Sequence, residues 1–176
     1  MKLYPKTRGL VRNALIAALY AALSLALAPM TFGLVQCRVS EALTLLPVLN
    51  PAAAWGVTLG CAVTNLVGAY TGANFLGPLD VLLGSATTLA ACLLTARLGR
   101  YRWHGLPLLA SLPPVVLNGL VIGWEWGFVT GADWRVTLGY MALVGLGQLV
   151  SCTLLGCLLI KYMERTGADK ILAPAK

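Results

Sequence analysis

The sequence predicts an all-α integral membrane protein, a bundle of six transmembrane helices whose second member is short. Of its 176 residues, 59% are hydrophobic and only 11% are charged, with a mean hydropathy of +0.81. A soluble domain of this size would be about one quarter charged. Long apolar runs recur from Ala14 onward, separated by brief polar or Gly/Pro-rich stretches. Basic residues also cluster at alternate junctions between these runs, the pattern of a chain that crosses a membrane repeatedly. The length suits a single membrane domain over residues 1–176, with no room for a separate soluble one.

The first segment covers 11–28 and ends at the turn "PMTFG". Its basic flank and the "ALA" at 26–28 imitate a secretory signal. Pro29 just beyond disfavours cleavage and further spans follow, so the segment is read as retained. The second covers 39–49, too short to cross a bilayer, and stops at Asn50-Pro51. The third covers 51–70. "TGANFLGP" is a loop leading to the fourth, 79–98, and "GRYRWHG" separates that from the fifth, 106–128. "VTGADW" leads into the sixth, 136–162, and the polar tail after Glu164 is expected to fray.

With the N-terminus in the cytoplasm, Lys2, Lys6, Arg8, Arg12, Arg97, Arg100, Arg102, Lys161, Arg165, Lys170 and Lys176 all fall on the cytoplasmic side. Only Arg38 and Arg135 of the 13 basic residues remain outside, so both termini are placed in the cytoplasm. Topology therefore explains the net charge of +7, and no nucleic-acid partner is needed. Trp55, Tyr101, Trp103 and Tyr162 lie near the inner face; Tyr70, Trp124, Trp126 and Trp134 lie near the outer one, as interfacial anchors.

Several chemistries find no support. There is no G-x-x-x-x-G-K-[ST] loop, so the chain is no ATPase. Its five cysteines form no C-x-x-C pair and it has one histidine, which leaves no metal constellation. The cysteines read as small packing residues. No nucleophile–histidine set is present, so no catalytic residue is assigned.

Polar groups gather on one side instead. Glu41, Asp80, Glu125 and Asp133 fall in the outer half or the outer loops. Asn65 lies in the outer third of the third segment, Asn118 just past the middle of the fifth, and Gln148 near the middle of the sixth. A charge in hydrocarbon costs at least about 3 kcal/mol, so such groups need partners or a wet cavity. The set predicts a polar pocket opening outward. The short second segment leaves space above itself for Arg38 and Glu41 to line, with Pro47 bending the remainder, because irregular backbone at membrane depth must face protein or a cavity. The plainer alternative is an i, i+3 ion pair at a helix start; both hold if Arg38 orients Glu41.

In "PPVVLNGLVIGWEWG", Pro113-Pro114 are expected to loosen the helix in mid-membrane, and Gly119 and Gly123 to admit a neighbour or a ligand. Asn118 and Glu125 are seven apart, on one face and about 10 Å from each other. Trp124 offers a flat surface to a ring, while Trp126 is assigned to the interfacial belt. On the first segment Ala14, Ala18 and Ala22 recur every four residues, with Ala17 and Ala21 alongside. Such small residues allow close helix packing, inside the bundle or against a separate subunit.

"ALIAALYAALSLALAPMTFGLVQCRVSEALTLLP" (14–47), "GPLDVLLGSATTLAACL" (77–93) and "PPVVLNGLVIGWEW" (113–126) resemble the QueT family. These are substrate-binding S components of energy-coupling factor (ECF) transporters for queuosine precursors. The likeness runs over nearly the whole chain, and the "RVSEALTLLP" block is its most distinctive part. It implies a six-helix protein of the bacterial cell membrane, without cofactor or ATPase of its own. Such a protein binds ligand from outside and docks through its first helix onto a membrane coupling subunit, driven by two ATPase subunits that hydrolyse ATP. Ala14, Ala18 and Ala22, with Ala17 and Ala21 beside them, would be the docking surface. Arg38, Glu41, Asn65, Asp80, Asn118, Trp124, Glu125 and Gln148 are the candidate binding residues. The alternatives are an S component for another small heterocyclic vitamin, an intramembrane enzyme using Glu41 and Asp80 as acid and base, or a self-sufficient secondary carrier.

Overall fold

A computed structural model describes residues 5–172. Lys2 and Lys176, counted above among the cytoplasmic basic residues, lie outside the described residues, as does the Lys6 side chain. The chain runs through α1 (Pro5–Ala26), α2 (Ala28–Thr31), a 3-10 helix (Val39–Val48), α3 (Ala53–Thr71), α4 (Pro78–Leu98), α5 (Leu108–Thr130) and α6 (Trp134–Gln148). A π-helical stretch (Leu149–Gly156) carries α6 directly into α7 (Cys157–Thr166), and α8 (Asp169–Leu172) follows. No strand occurs among the described residues. Five stretches are long and apolar enough to cross a membrane, namely 7–26, 53–71, 78–98, 108–130 and 134–166. Val39–Val48 is a shorter apolar helix.

Helix ends follow local chemistry. Pro78 opens α4 at its first turn, where its missing N–H is no loss. Asp133 caps α6, its Oδ1 accepting from the Arg135 and Val136 amides at 2.8 and 3.0 Å. α5 closes at Gly131, whose left-handed φ of 65° favours glycine.

The short second segment is a 3-10 helix at the centre of the bundle. Its ten residues rise only about 20 Å, against a hydrocarbon core of about 30 Å. Ser40 through Pro47 are all buried, with α1, α3, α4, α5, the π-helical stretch and α7 packed around them. Leu43, Leu45 and Leu46 of its C-terminal half join Ile16, Val57 and Ile160 in an apolar core. A second, smaller cluster of Leu76, Ile122, Trp126 and Val144 forms at the other end. On α5 the order Val115, Asn118, Ile122 shows the arrangement: a polar layer lies between two apolar ones.

Pro113-Pro114 do not loosen α5, which is continuous from Leu108 to Thr130. A proline inside a helix leaves the carbonyl four residues back without its donor. For Pro114 that carbonyl belongs to Ala110, and the Thr95 hydroxyl of α4 donates to it at 2.8 Å. Gly119 and Gly123 admit a neighbour: a Cβ at Gly123 would run into the Met141 backbone of α6. On α3, a Cβ at Gly60 would come within 2.7 Å of Tyr20 Cβ on α1.

Trp126 is corrected from belt to core. It is 8% exposed, and its ring stacks on Phe75 at 5.3 Å and leans on Tyr140 at 6.1 Å. The alanines of α1 divide. Ala14, Ala18 and Ala22 are exposed, whereas Ala17 is buried and Ala21 half-buried, with the Ala17 carbonyl turned toward Gly60.

Candidate functional site

Arg38 is the last extended residue before the 3-10 helix. Because a 3-10 helix repeats every three residues, Arg38 and Glu41 fall on one side of it. Asp80 sits in the first turn of α4, with Gly84 and Thr88 at the following i+4 positions. Asn118 and Ile122 come from α5, Gln148 from the end of α6, and Gln36 from the loop between α2 and the 3-10 helix. These nine residues line one small cavity. Gln148 stands where α6 passes into the π-helical stretch; such irregular turns recur at functional sites.

The cavity is built around one buried cation. Arg38, 4% exposed, places Nη1 3.9 Å from Glu41 Oε1 and Nη2 3.9 Å from Asp80 Oδ2. These are charge contacts, longer than direct hydrogen bonds. The guanidinium also lies 5.6 Å from the centre of the Phe32 ring. Each carboxylate has a donor of its own. Tyr20 Oη donates to Glu41 Oε1, and Asn118 Nδ2 to Glu41 Oε2 at 3.4 Å. Asn74 Nδ2 donates to Asp80 Oδ2 at 2.8 Å. Asn65 stands one layer back, its Nδ2 donating to the Asp80 carbonyl at 2.9 Å. Cys61 accepts from Arg38 Nη1 at 3.8 Å and from Thr88 Oγ1 at 3.3 Å, so this thiol does more than fill space.

Further along α5, past Ile122, lies Glu125. It is fully buried, and neither carboxylate oxygen has a hydrogen-bond donor. Trp126 Nε1, Gln36 Nε2 and Arg38 Nε are likewise buried without an acceptor. Folded proteins rarely leave such groups unmatched, and each costs about 1–3 kcal/mol. Of these, Gln36 and Arg38 line the cavity, where a polar ligand could supply the missing acceptors.

Of the residues singled out from sequence, Arg38, Glu41, Asp80, Asn118 and Gln148 come together at the cavity. Asn65 stands behind it, bonded to the Asp80 carbonyl, and Glu125 lies outside its lining, two turns beyond Asn118 on α5. Trp124 does not join them: it is 48% exposed and stacks on Phe128 at 5.4 Å. Trp126 is buried instead and shares an apolar cluster with Ile122, a residue of the cavity wall. Tyr20, Gln36, Asn74, Gly84 and Thr88 went unrecognised in the sequence. Asn74 had a visible signal, an amide in a Gly/Pro-rich loop just ahead of Asp80; Tyr20 had none. Among the described residues, no three His, Cys, Asp or Glu side chains assemble a metal site.

Five stretches long and apolar enough to cross a membrane, packed around a polar, arginine-centred cavity, are the build of a multi-pass membrane protein. The family model for the QueT transporter matches residues 10–165, and the chain belongs to that family. No curated protein and no solved structure matches the chain.

Proposed function

We propose that the chain is the S component of an ECF-type importer, with both termini in the cytoplasm and six membrane segments, the short 3-10 helix being completed to a crossing by the irregular loop 32–38 that precedes it. It binds a queuosine precursor of the 7-deazaguanine type from outside, either queuine or the aminomethyl precursor. It delivers that ligand inward with a membrane coupling subunit and two ATPase subunits. The observation that carries this reading is the buried Arg38–Glu41–Asp80 layer that lines the cavity, in a chain of the QueT transporter family.

Ligand chemistry supports it. The deazaguanine ring presents adjacent N–H donors on its pyrimidine edge and one carbonyl acceptor. A carboxylate takes two such donors at once, and an amide or guanidinium serves the carbonyl. Glu41 and Glu125 divide the donors: one reads the ring edge, and the other, with Asp80, meets the side-chain amine. Asn118 and Gln148 add polar contacts, Asn65 supports Asp80, and Arg38 serves the carbonyl or holds the carboxylates apart. Trp126, rather than Trp124, is the indole placed to lie against a ring.

The cavity holds about 10 Å³, room for roughly one water, far below the ~300 Å³ at which small-molecule sites begin. Ligand binding therefore requires the wall to move. Loop 32–38, which contributes Gln36 and Arg38, is the wall without regular helix. Ala14, Ala18 and Ala22 form the exposed docking stripe on α1.

The test is a titration of purified protein against queuine, its aminomethyl precursor and a panel of unrelated vitamins. Binding of a deazaguanine, weakened at least tenfold in Glu41→Ala or Glu125→Ala, is the expected result. Wild-type affinity for both ligands in each of the two variants would sink the site assignment. Preference for another vitamin would move the chain to a different substrate within the same architecture.

A further inference from the structure

α1 presents two faces with different tasks. One exposes Ala14, Ala18 and Ala22. The other turns Tyr20 and Ser24, both wholly buried, toward the 3-10 helix. Tyr20 Oη donates to Glu41 Oε1, and Ser24 Oγ meets Ser40 Oγ at 2.6 Å. The Thr31 hydroxyl of α2 then donates to the Ser24 carbonyl at 2.8 Å. Two adjacent residues of the 3-10 helix are thus bonded to side chains one turn apart on α1.

The Tyr20 bond decides which Glu41 oxygen is available. Oε1 is occupied by a buried phenol and faces Arg38. Oε2 has only the 3.4 Å contact to Asn118, itself a cavity residue. Without the phenol, Oε1 would become a buried acceptor without a direct donor, and closing the 3.9 Å gap to Arg38 would be its nearest remedy. That movement rotates the carboxylate. Tyr20 has little room to yield, because Gly60 of α3 lies against its Cβ.

We infer that Tyr20 is a positioning residue of the ligand site: it fixes the Glu41 carboxylate so that Oε2 meets the ligand, and it ties that carboxylate to α1. The inference rests on the reading of the cavity as the ligand site.

The experiment compares wild type, Tyr20→Phe and Ser24→Ala as purified full-length proteins. Probes are the aminomethyl-deazaguanine precursor and two analogues, one lacking the exocyclic ring amine and one lacking the side-chain amine. In wild type, removing the N–H that Glu41 receives weakens binding. In Tyr20→Phe the parent ligand is expected to lose about tenfold in affinity, the size of one hydrogen bond to a charged group. The matching analogue should bind as before, so that this selectivity collapses. Ser24→Ala, which leaves both Glu41 oxygens bonded, is expected to show the same signature at smaller amplitude. It also keeps the question open to test should Tyr20→Phe not fold. Equal weakening of all three probes, or unchanged selectivity in both variants, would overturn the positioning role. A wild-type protein that binds none of the probes would overturn the ligand reading itself, and this inference with it.

Discussion

Arg38 Nη2 stands 3.9 Å from Asp80 Oδ2, with both side chains almost entirely withdrawn from the surface. One guanidinium here serves two acids, since Glu41 Oε1 is equally far from Nη1. Removing one partner of a buried ion pair leaves an uncompensated charge and costs about 3–5 kcal/mol, more than the net worth of the pair. The arrangement therefore says more about the uniqueness of this layer than about its contribution to stability.

Arg38→Met should accordingly destabilise the protein by about 3–5 kcal/mol. Thermal unfolding in detergent measures it. Adding Asp80→Asn to Arg38→Met should recover part of the loss, because the second change removes one of the stranded charges. A single variant as stable as wild type would contradict the buried charge layer.

Thr95 repairs the helix at Pro114. Thr95→Val keeps the shape and removes the donor to the Ala110 carbonyl, an expected loss of about 1–3 kcal/mol for a buried acceptor left unmatched. Pro114→Ala restores a backbone N–H to that carbonyl. The Thr95→Val penalty should then shrink in the Pro114→Ala background, and a double-mutant cycle reads the difference. Strict additivity would mean that the two residues do not share the carbonyl.

Much of this architecture could be read from residue order alone. The order of apolar helices was legible because hydropathy and Gly/Pro punctuation are local properties, but their ends were less so: α1 begins at Pro5 rather than at 11, and the last apolar stretch runs to Thr166 rather than to 162. The convergence of Arg38, Glu41, Asp80, Asn118 and Gln148 was legible because polar groups at membrane depth have few places to go. What stayed hidden depends on helix rotation and on non-α geometry. Trp124 and Trp126 are separated by about 200° around α5, so choosing between them required knowing the face. The 3-10 and π-helical stretches are not marked by any local motif, and the carbonyl repair by Thr95 is a contact between two neighbouring helices whose relative rotation the sequence does not show. Tyr20 reads as one more interfacial or packing aromatic until its partner Glu41 is seen.

The indole assignment is testable directly. Trp124→Ala should leave deazaguanine affinity within about twofold of wild type. Trp126→Ala should weaken binding by about tenfold or more, in line with the 1–3 kcal/mol that a stacked base loses with its aromatic partner. Stability complicates the second variant, since Trp126 packs with Ile122 and Val144. Trp126→Phe preserves a ring and should retain most of the affinity. The reverse order, with Trp124 critical and Trp126 dispensable, would put the ligand on the other side of α5.

Asn74 holds Asp80 from the loop before α4. Its Nδ2 donates to Asp80 Oδ2 at 2.8 Å, while its Oδ1 accepts from the Leu76 amide at 3.1 Å. Asn74→Ala removes both bonds and should cost about 1.5–3 kcal/mol, the range for a hydrogen bond to a charged group. Asn74→Asp should be worse. It retains an acceptor for Leu76 but sets a second carboxylate against Asp80. Unfolding curves for the two variants give the order, and equal stability of both with wild type would show that Asp80 does not depend on this donor.

Loop 32–38 reaches the cavity by passing over a residue without a side chain. A Cβ at Gly147 on α6 would collide with the Val35 carbonyl, so only glycine lets the loop lie this close. The next residue, Gln36, is held at φ 43°, a left-handed conformation that a non-glycine residue adopts only under constraint. Gly147→Ala should lift the loop, release Gln36 to ordinary backbone angles and draw its side chain away from the cavity. Hydrogen exchange at residues 34–37 should then accelerate, beginning with the Gln36 amide that now donates to the Gly33 carbonyl at 2.9 Å. Helices α3 and α4 should keep wild-type protection, because neither rests on this contact. Unchanged exchange in the loop would mean that α6 yields instead, and that the seat at Gly147 does not set the position of Gln36.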